Sequence, residues 1–133
     1  MYSITVRNNI LIAHSLPGEV FGPAQNMHGA TYIVDAEFFA ENVNKYNIIM
    51  DLGVVTDILS EVLKFYSYKN LDEVDEFKGV ITSTEFLAKD IYDRICLNLK
   101  SNHSNDYQLL HKLKITLTES NVAWASFEQE IEK

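Results

Sequence analysis

Apolar side chains recur at every second position near both ends of the chain and at every third or fourth position in its middle, which constrains the fold more than any other feature. Period two is typical of a half-buried β-strand, and a period near 3.6 is typical of an amphipathic helix. Alternation covers Tyr2 to His14, Gly29 to Phe39 and Leu113 to Glu119. These runs predict three strands, the first of them bulged or bent at Asn8-Asn9.

Two shorter segments are predicted as partners in hairpins. Asn42 to Asn44 has turn composition, so Tyr46 to Asp51 is predicted as the return strand after it. Val122 to Phe127 follows the last alternating run and is predicted as its hairpin partner.

The middle of the chain predicts two helices. From Val54 to Tyr66 the apolar residues form one stripe, with charged residues opposite. Thr82-x-x-Glu85 matches a capping box and opens a second helix that ends near Lys100. The polar run Ser101 to Asp106 is then predicted to be a loop.

The order of these elements predicts one α+β domain over residues 1–133, with two helices packed on one face of an antiparallel sheet. A chain of 133 residues with 47% hydrophobic content is long enough to bury a core.

Composition narrows the function classes. The formal net charge of −8, with only eleven Lys and Arg, excludes a surface for nucleic acid or anionic membrane, because neutralising phosphates requires clustered cations. Cys96 is the single cysteine, so an intrachain disulfide is excluded and a reducing compartment is indicated. No segment approaches the roughly 20 apolar residues of a membrane span. We therefore expect a soluble cytoplasmic protein whose partner is a small molecule or another protein.

A histidine stands where a loop meets a strand, which is a usual place for a functional site. The segment Pro17 to Met27 carries turn residues and no periodicity, and His28 follows it on the same strand face as Ala30 and Tyr32. Taken alone, His28 is better explained by a hydrogen bond to backbone, and His14 by a satisfied position in the core.

Several segments together resemble the 6-pyruvoyl-tetrahydropterin synthase and 6-carboxy-tetrahydropterin synthase family. In chain order they are Ile12-Ala13-His14, His28-Gly29, Ile49 to Gly53, Lys69-Asn70-Leu71, Thr82 to Ala88 and Leu117 to Ser120. The resemblance spans nearly the whole chain and implies the tunnelling fold: a four-stranded antiparallel sheet in the order ββααββ, joined to copies of itself in a barrel. It also implies a homo-oligomer, a trimer or a hexamer, with pterin sites between subunits.

The resemblance assigns three zinc-binding histidines, of which this chain keeps two. His14 and His28 match family ligands, but Ala30 occupies the third position. Catalytic zinc requires three protein ligands and one open position, so the loss of an imidazole weakens a zinc site unless His103, His111 or another group replaces it.

The catalytic positions implied by the resemblance are also altered. Ala24 stands near the place of the family's cysteine, and Gln25 is the closest counterpart to the carboxylate that some members use. Ser67-Tyr68 aligns with the family's Asp-His pair, and Tyr68 moves a proton only if its pKa falls from about 10. Tyr68 and Gln25 are thus weak candidates, and Cys96 is predicted to be a packed thiol.

Binding residues are better preserved. Glu119 continues the apolar phase of its strand, which predicts either a solvated strand end or a functional carboxylate. The resemblance assigns it two hydrogen bonds from the 2-amino and ring N-H groups of a pterin, a match that purine-like heterocycles share. Ser83 and Thr84 match pterin-holding positions, although helix capping explains them equally well.

Two hypotheses follow for the function. In the first, the protein is a lyase acting on a dihydroneopterin triphosphate-like substrate. In the second, the fold and a pterin or purine site persist without that chemistry, as a binding or assembly protein, which the residues Ala24, Ala30 and Tyr68 favour.

Overall fold

A computed structural model describes residues 1–133 and contains one sheet of five strands. The strands are β1 (Tyr2–His14), β2 (His28–Ala40), β3 (Lys69–Asn70), β4 (Lys112–Ser120) and β5 (Ala123–Glu130). Their order across the sheet is β3-β1-β2-β4-β5. The four long strands are antiparallel, as predicted, and the two-residue β3 adds a short parallel pairing with β1 at Ile12 and Ala13. The α+β class is confirmed.

The pairing of β1 with β2 is regular along its whole length. It runs without a shift from Tyr2 opposite Ala40 to His14 opposite His28, so the predicted bulge at Asn8-Asn9 is wrong. The Asn8 side chain instead accepts a hydrogen bond of 2.8 Å from the backbone N–H of Asn9. A polar pair is therefore accommodated without breaking the strand.

One hydrophobic core fills the space between the sheet and the helices. The helices are α1 (Leu52–Leu63), α2 (Thr84–Asn102) and α3 (Ser104–Leu109). Alternate residues of the strands are buried against α1 and α2, among them Ile10, Tyr32, Val34, Phe38, Ile115 and Leu117. Because side chains alternate across a strand, the opposite face of the sheet carries the more polar set, such as the ion pair of Arg7 with Asp35.

The segment between β2 and α1 differs from its prediction. Tyr46 to Asp51 is not a strand, because the Asn44 side chain accepts from the N–H of Tyr46 and the Asn47 N–H bonds back to the Asn44 carbonyl. These bonds fold the chain into a turn, with Asn47 at a positive φ of 62°. Asp51 then caps α1 by accepting from Val54 N–H at 3.0 Å.

The start of α2 is displaced by one residue from the predicted capping box. Ser83, not Thr82, is the N-cap, and its hydroxyl oxygen accepts from Phe86 N–H at 3.1 Å. The Thr82 hydroxyl contacts His14 instead. Neighbouring hydroxyl residues therefore have different roles: Ser83 caps the helix and Thr82 contacts the histidine.

The end of α2 and the segment that follows also differ from prediction. The helix continues to Asn102, and the predicted loop Ser101 to Asp106 is replaced by a short break at His103 and by α3. Tyr107, which is buried, anchors α3 to the core. None of the helices combines the length and the apolar character that a membrane span requires.

The sheet has two open edges. On its outer side, β1 is paired only at Ile12 and Ala13, which leaves its first half without a neighbouring strand, and β5 pairs only with β4. Exposed backbone donors and acceptors on such edges are available to pair with another chain.

Candidate functional site

The histidine that ends β1 and the histidine that begins β2 lie next to each other in the structure. His14 and His28 are opposite each other at the end of the β1–β2 ladder, with ring centroids 4.6 Å apart and planes inclined at 64°. His14 is buried and its Nδ1 lies 3.0 Å from the Thr82 hydroxyl. His28 is half-buried, and its Nδ1 donates to the Asn26 carbonyl at 2.9 Å. The Nε2 atom of His28 is thereby left as an acceptor.

The surroundings of His14 favour the neutral ring. Burial lowers the pKa of His14 below its ordinary value, and the neighbouring His28 lowers it further, while Asp72 and Thr82 oppose the change. The Asp72 carboxylate accepts from both the N–H and the hydroxyl of Ser15, at 3.1 and 2.5 Å. It is thus fixed close to the histidine pair by the residue that follows His14.

The donors around the histidine pair do not fit the three-ligand zinc site of the resembled family. Ala30 lies two residues after His28 on the same strand face, and a methyl group ligates no metal. Among residues 1–133 there is no group of three or more His, Cys, Asp or Glu side chains arranged to hold a metal ion. Two imidazoles alone fall short of the three protein ligands of a catalytic zinc site.

Neither remaining histidine supplies the missing ligand within the chain. His103 follows the C-terminal end of α2, roughly 28 Å from the helix start near the site for a 19-residue helix. His111 donates its backbone N–H to Phe39, at the opposite end of β2 from His28. Neither His103 nor His111 therefore replaces the missing imidazole within one copy.

A second group of side chains lies farther along the same face of β2. The Tyr32 hydroxyl is 3.4 Å from Thr84 Oγ1, which joins β2 to the first residue of α2. Burial raises the pKa of Tyr32, and the carboxylates of Glu119 and Glu85 raise it further, while the Thr84 hydrogen bond lowers it. β4 pairs Leu117 with Val34 and Thr118 with Ile33, so Glu119 comes next along β4, beside Tyr32. The Cα atom of Tyr32 is about 13 Å from that of His28, since Tyr32 lies four positions farther along the strand.

Glu119 itself is exposed and lies at an irregularity in β4. The register with β5 shifts between Thr118 and Ser120, so Glu119 is the residue at the bulge. Bulges are frequent beside functional sites because they redirect a side chain and end the regular pairing. The role assigned to Glu119 by the resemblance stays a prediction, as do the binding roles of Ser83, which caps α2, and Thr84, which contacts Tyr32.

The two weak catalytic candidates are both exposed. The Gln25 amide donates to the Gly22 carbonyl at 3.1 Å within the 3-10 helical segment Glu19–Gln25 ahead of β2, which was expected to be a loop. Tyr68 is 84% exposed and has a positive φ of 61°, and its N–H donates to the Leu11 carbonyl. Burial raises the pKa of the Cys96 thiol to about 11, which agrees with a packed, unreactive side chain.

Three residues of this region were not identified as site candidates from the sequence. Thr82 is part of the predicted capping box and Tyr32 lies on a predicted strand face, whereas Asp72 belongs to none of the motifs described. Their roles depend on contacts between residues 52 to 68 positions apart. The adjacent hydroxyls Thr82-Ser83-Thr84 were the available signal, because one helix needs only one N-cap.

Comparison with known proteins agrees with this architecture. The family model described as 6-pyruvoyl tetrahydropterin synthase matches residues 3–130. The 6-pyruvoyl tetrahydrobiopterin synthase of Dictyostelium discoideum is 30% identical over 105 residues, which cover 77% of this chain and 73% of that protein.

Solved structures show the same fold. The 6-pyruvoyl tetrahydropterin synthase of Caenorhabditis elegans superposes with a TM-score of 0.80 at 23% identity, over 96% of this chain and 95% of that one. A Plasmodium vivax 6-pyruvoyltetrahydropterin synthase in which a catalytic glutamate is replaced by alanine superposes with a TM-score of 0.78 at 15% identity, over 98% of each chain. On the match across residues 3–130 and the identity to the Dictyostelium protein, this chain belongs to the 6-pyruvoyl tetrahydropterin synthase family.

Proposed function

We propose that this protein binds a pterin or a related purine-like heterocycle at sites between copies of itself. The observation that carries the proposal is the position of Glu119, a carboxylate at a bulge in β4 that follows the pairing of Thr118 with Ile33 and so lies beside Tyr32, toward the end of β2 that holds the histidine pair. A carboxylate accepts two parallel hydrogen bonds from the amino and ring N–H groups of such heterocycles. The Thr84 and Tyr32 hydroxyls offer further polar contacts nearby.

The incomplete enclosure of this region supports a site between copies. Glu119 is exposed in the single chain, and the sheet ends in two open edges, the first half of β1 and the whole of β5. The four long strands alternate in direction, so β5 of one copy pairs antiparallel with β1 of the next, and repetition closes a ring. A trimer or a hexamer in the cytoplasm is the assembly we propose.

The binding role fits this chain better than the classical lyase reaction. Neutral Gln25 has no carboxylate to accept a proton, although the Plasmodium vivax relative has a catalytic glutamate. Ala24 offers no thiol, and Tyr68 is exposed on a turn where its N–H donates to the Leu11 carbonyl. Lyase activity on a dihydroneopterin triphosphate-like substrate is the second candidate, favoured by the one feature that survives, the facing imidazoles of His14 and His28.

Titration with neopterin, a fluorescent pterin, tests the proposal. Saturable binding by the wild-type protein is expected, weakened at least about tenfold in Glu119→Gln, since a hydrogen bond to a charged group contributes about 1.5–3 kcal/mol. Glu61→Gln is the matched control, because Glu61 is exposed on α1, away from both sheet edges, and pairs with Lys64. Absence of binding, or equal binding by Glu119→Gln, would reject it. Turnover of dihydroneopterin triphosphate by the wild-type protein would establish the lyase instead.

A further inference from the structure

We infer that the site of this protein works without a resident metal and that Ala30 is the residue responsible. The inference concerns the same site as the proposed function, and only its ligand-binding measurement rests on that function. The side chains available to bind a metal are the basis for this inference. His14 and His28 are the imidazoles within reach, and the position that follows on the same face, two residues along β2, carries a methyl group.

The nearest carboxylate does not take the place of the missing imidazole. Asp72 is engaged by the Ser15 backbone N–H, at 3.1 Å to one oxygen and 3.3 Å to the other, and by the Ser15 hydroxyl at 2.5 Å. Both of its oxygens therefore already accept hydrogen bonds from the residue after His14. Turning one of them toward the histidine pair would leave the Ser15 donors without partners.

The groups that orient the two histidines are nevertheless intact. The Nδ1 atom of His14 faces the Thr82 hydroxyl, and that of His28 faces the Asn26 carbonyl. Partners of this kind fix the ring orientation of metal-binding histidines. Both histidines that remain from a three-histidine site therefore have the hydrogen bonds that orient their rings. One added imidazole at position 30 is then sufficient to create a zinc site. Residue 30 is half-buried at the edge of the hydrophobic core.

Zinc titration calorimetry on the full chain, stripped with EDTA and dialysed, tests this inference with zinc alone as the probe. We expect Ala30→His to bind one zinc per copy at least roughly 100-fold more tightly than wild type. Loss of a residue that only supports a ligand lowers metal affinity by about 10–100-fold, and a gained ligand should have a larger effect. Thr31→His is the matched control, because it adds a histidine one residue later on the opposite face of β2. It should gain nothing, and His28→Ala in the Ala30→His background should abolish the gain.

Several results would overturn the inference. They are stoichiometric zinc in the purified wild-type protein, and a zinc affinity of Ala30→His no higher than that of wild type. Metal analysis of wild type decides the first result even where a variant folds poorly. Neopterin binding by wild type should be unchanged by EDTA, and a requirement for added zinc would contradict the inference while preserving heterocycle binding. Failure to bind neopterin under any condition would reject the proposed function and leave the zinc result standing.

Discussion

His14 and His28 face each other across the last pair of the β1–β2 ladder, with ring centroids 4.6 Å apart, and each ring has its Nδ1 atom occupied by a partner within the chain. The partner of His14 is the buried Thr82, which stands just before α2. This hydrogen bond therefore links the end of the first strand to the start of the longest helix.

Replacing Thr82 by valine should destabilise the fold. The change preserves side-chain shape but leaves the buried Nδ1 of His14 without its partner, which costs about 1–3 kcal/mol in the free energy of unfolding. Urea denaturation monitored by circular dichroism measures the loss. Thr84→Val is the control, since its contact with Tyr32 is longer, at 3.4 Å, and should matter less. A larger loss for Thr84→Val would contradict this description.

The stability of the protein should fall in mild acid because of His14. Burial lowers the pKa of His14 in the folded state, whereas in the unfolded chain the imidazole has its ordinary pKa near 6.5. Below about pH 6.5 the unfolded state therefore binds more protons, so the contribution is full above that pH and is lost as pH falls toward the folded pKa. Urea denaturation at pH 5 to 8 should show a shallower pH dependence for His14→Gln. The same pH dependence of stability in His14→Gln and wild type would contradict this role of His14.

Tyr66→Phe should cost more stability than Tyr92→Phe. The Tyr66 hydroxyl donates at 2.5 Å to the Asp90 carboxylate, and burial raises the pKa of Tyr66 well above its ordinary value, so the phenol stays a donor. A hydrogen bond to a charged group contributes about 1.5–3 kcal/mol, and a neutral one about 0.5–1.5. The Tyr92 hydroxyl lies 3.3 and 3.4 Å from backbone carbonyls, and its side-chain partner is the neutral thiol of Cys96. Chemical denaturation of both variants gives the order, and a reversed order would refute it.

Tyr68→Gly should leave stability unchanged or raise it slightly. Tyr68 has a positive φ of 61° and is 84% exposed, so the substitution relieves backbone strain and removes little buried surface. Relief of about 1–2 kcal/mol is offset by about 0.4–1 kcal/mol from the greater freedom of glycine in the unfolded chain. Asn47→Gly, at a φ of 62°, is the control and should gain less, because asparagine tolerates this conformation. A clear loss of stability in Tyr68→Gly would show that its ring makes contacts that matter.

Periodicity was sufficient to predict the elements whose stability comes from burying one face. The alternation of β1 and β2 gave their length and core-facing side, and the stripe in α1 gave its buried residues, because these patterns directly express which side meets the core. The resemblance joined His14 and His28 as positions of one zinc site, and the regular pairing of β1 with β2 brings the two residues together in the structure.

Elements fixed by single side chains were harder to predict. The apolar residues Tyr46 and Ile48 alternate as in a strand, but the Asn44 amide and the conformation of Asn47 decide for a turn. The helix α3 spans six residues, too few for a periodic stripe, and is anchored by Tyr107. Contacts such as Thr84 with Tyr32 join distant parts of the chain and leave no local pattern.

Native mass spectrometry of the purified protein tests the central claim most directly, because it reports copy number, metal and retained small molecules in one measurement. We expect a trimer or a hexamer that carries no zinc and up to one pterin-sized or purine-sized molecule per copy. That molecule should be lost in Glu119→Gln. A monomer, or an assembly that keeps the same molecule after Glu119→Gln, would contradict it.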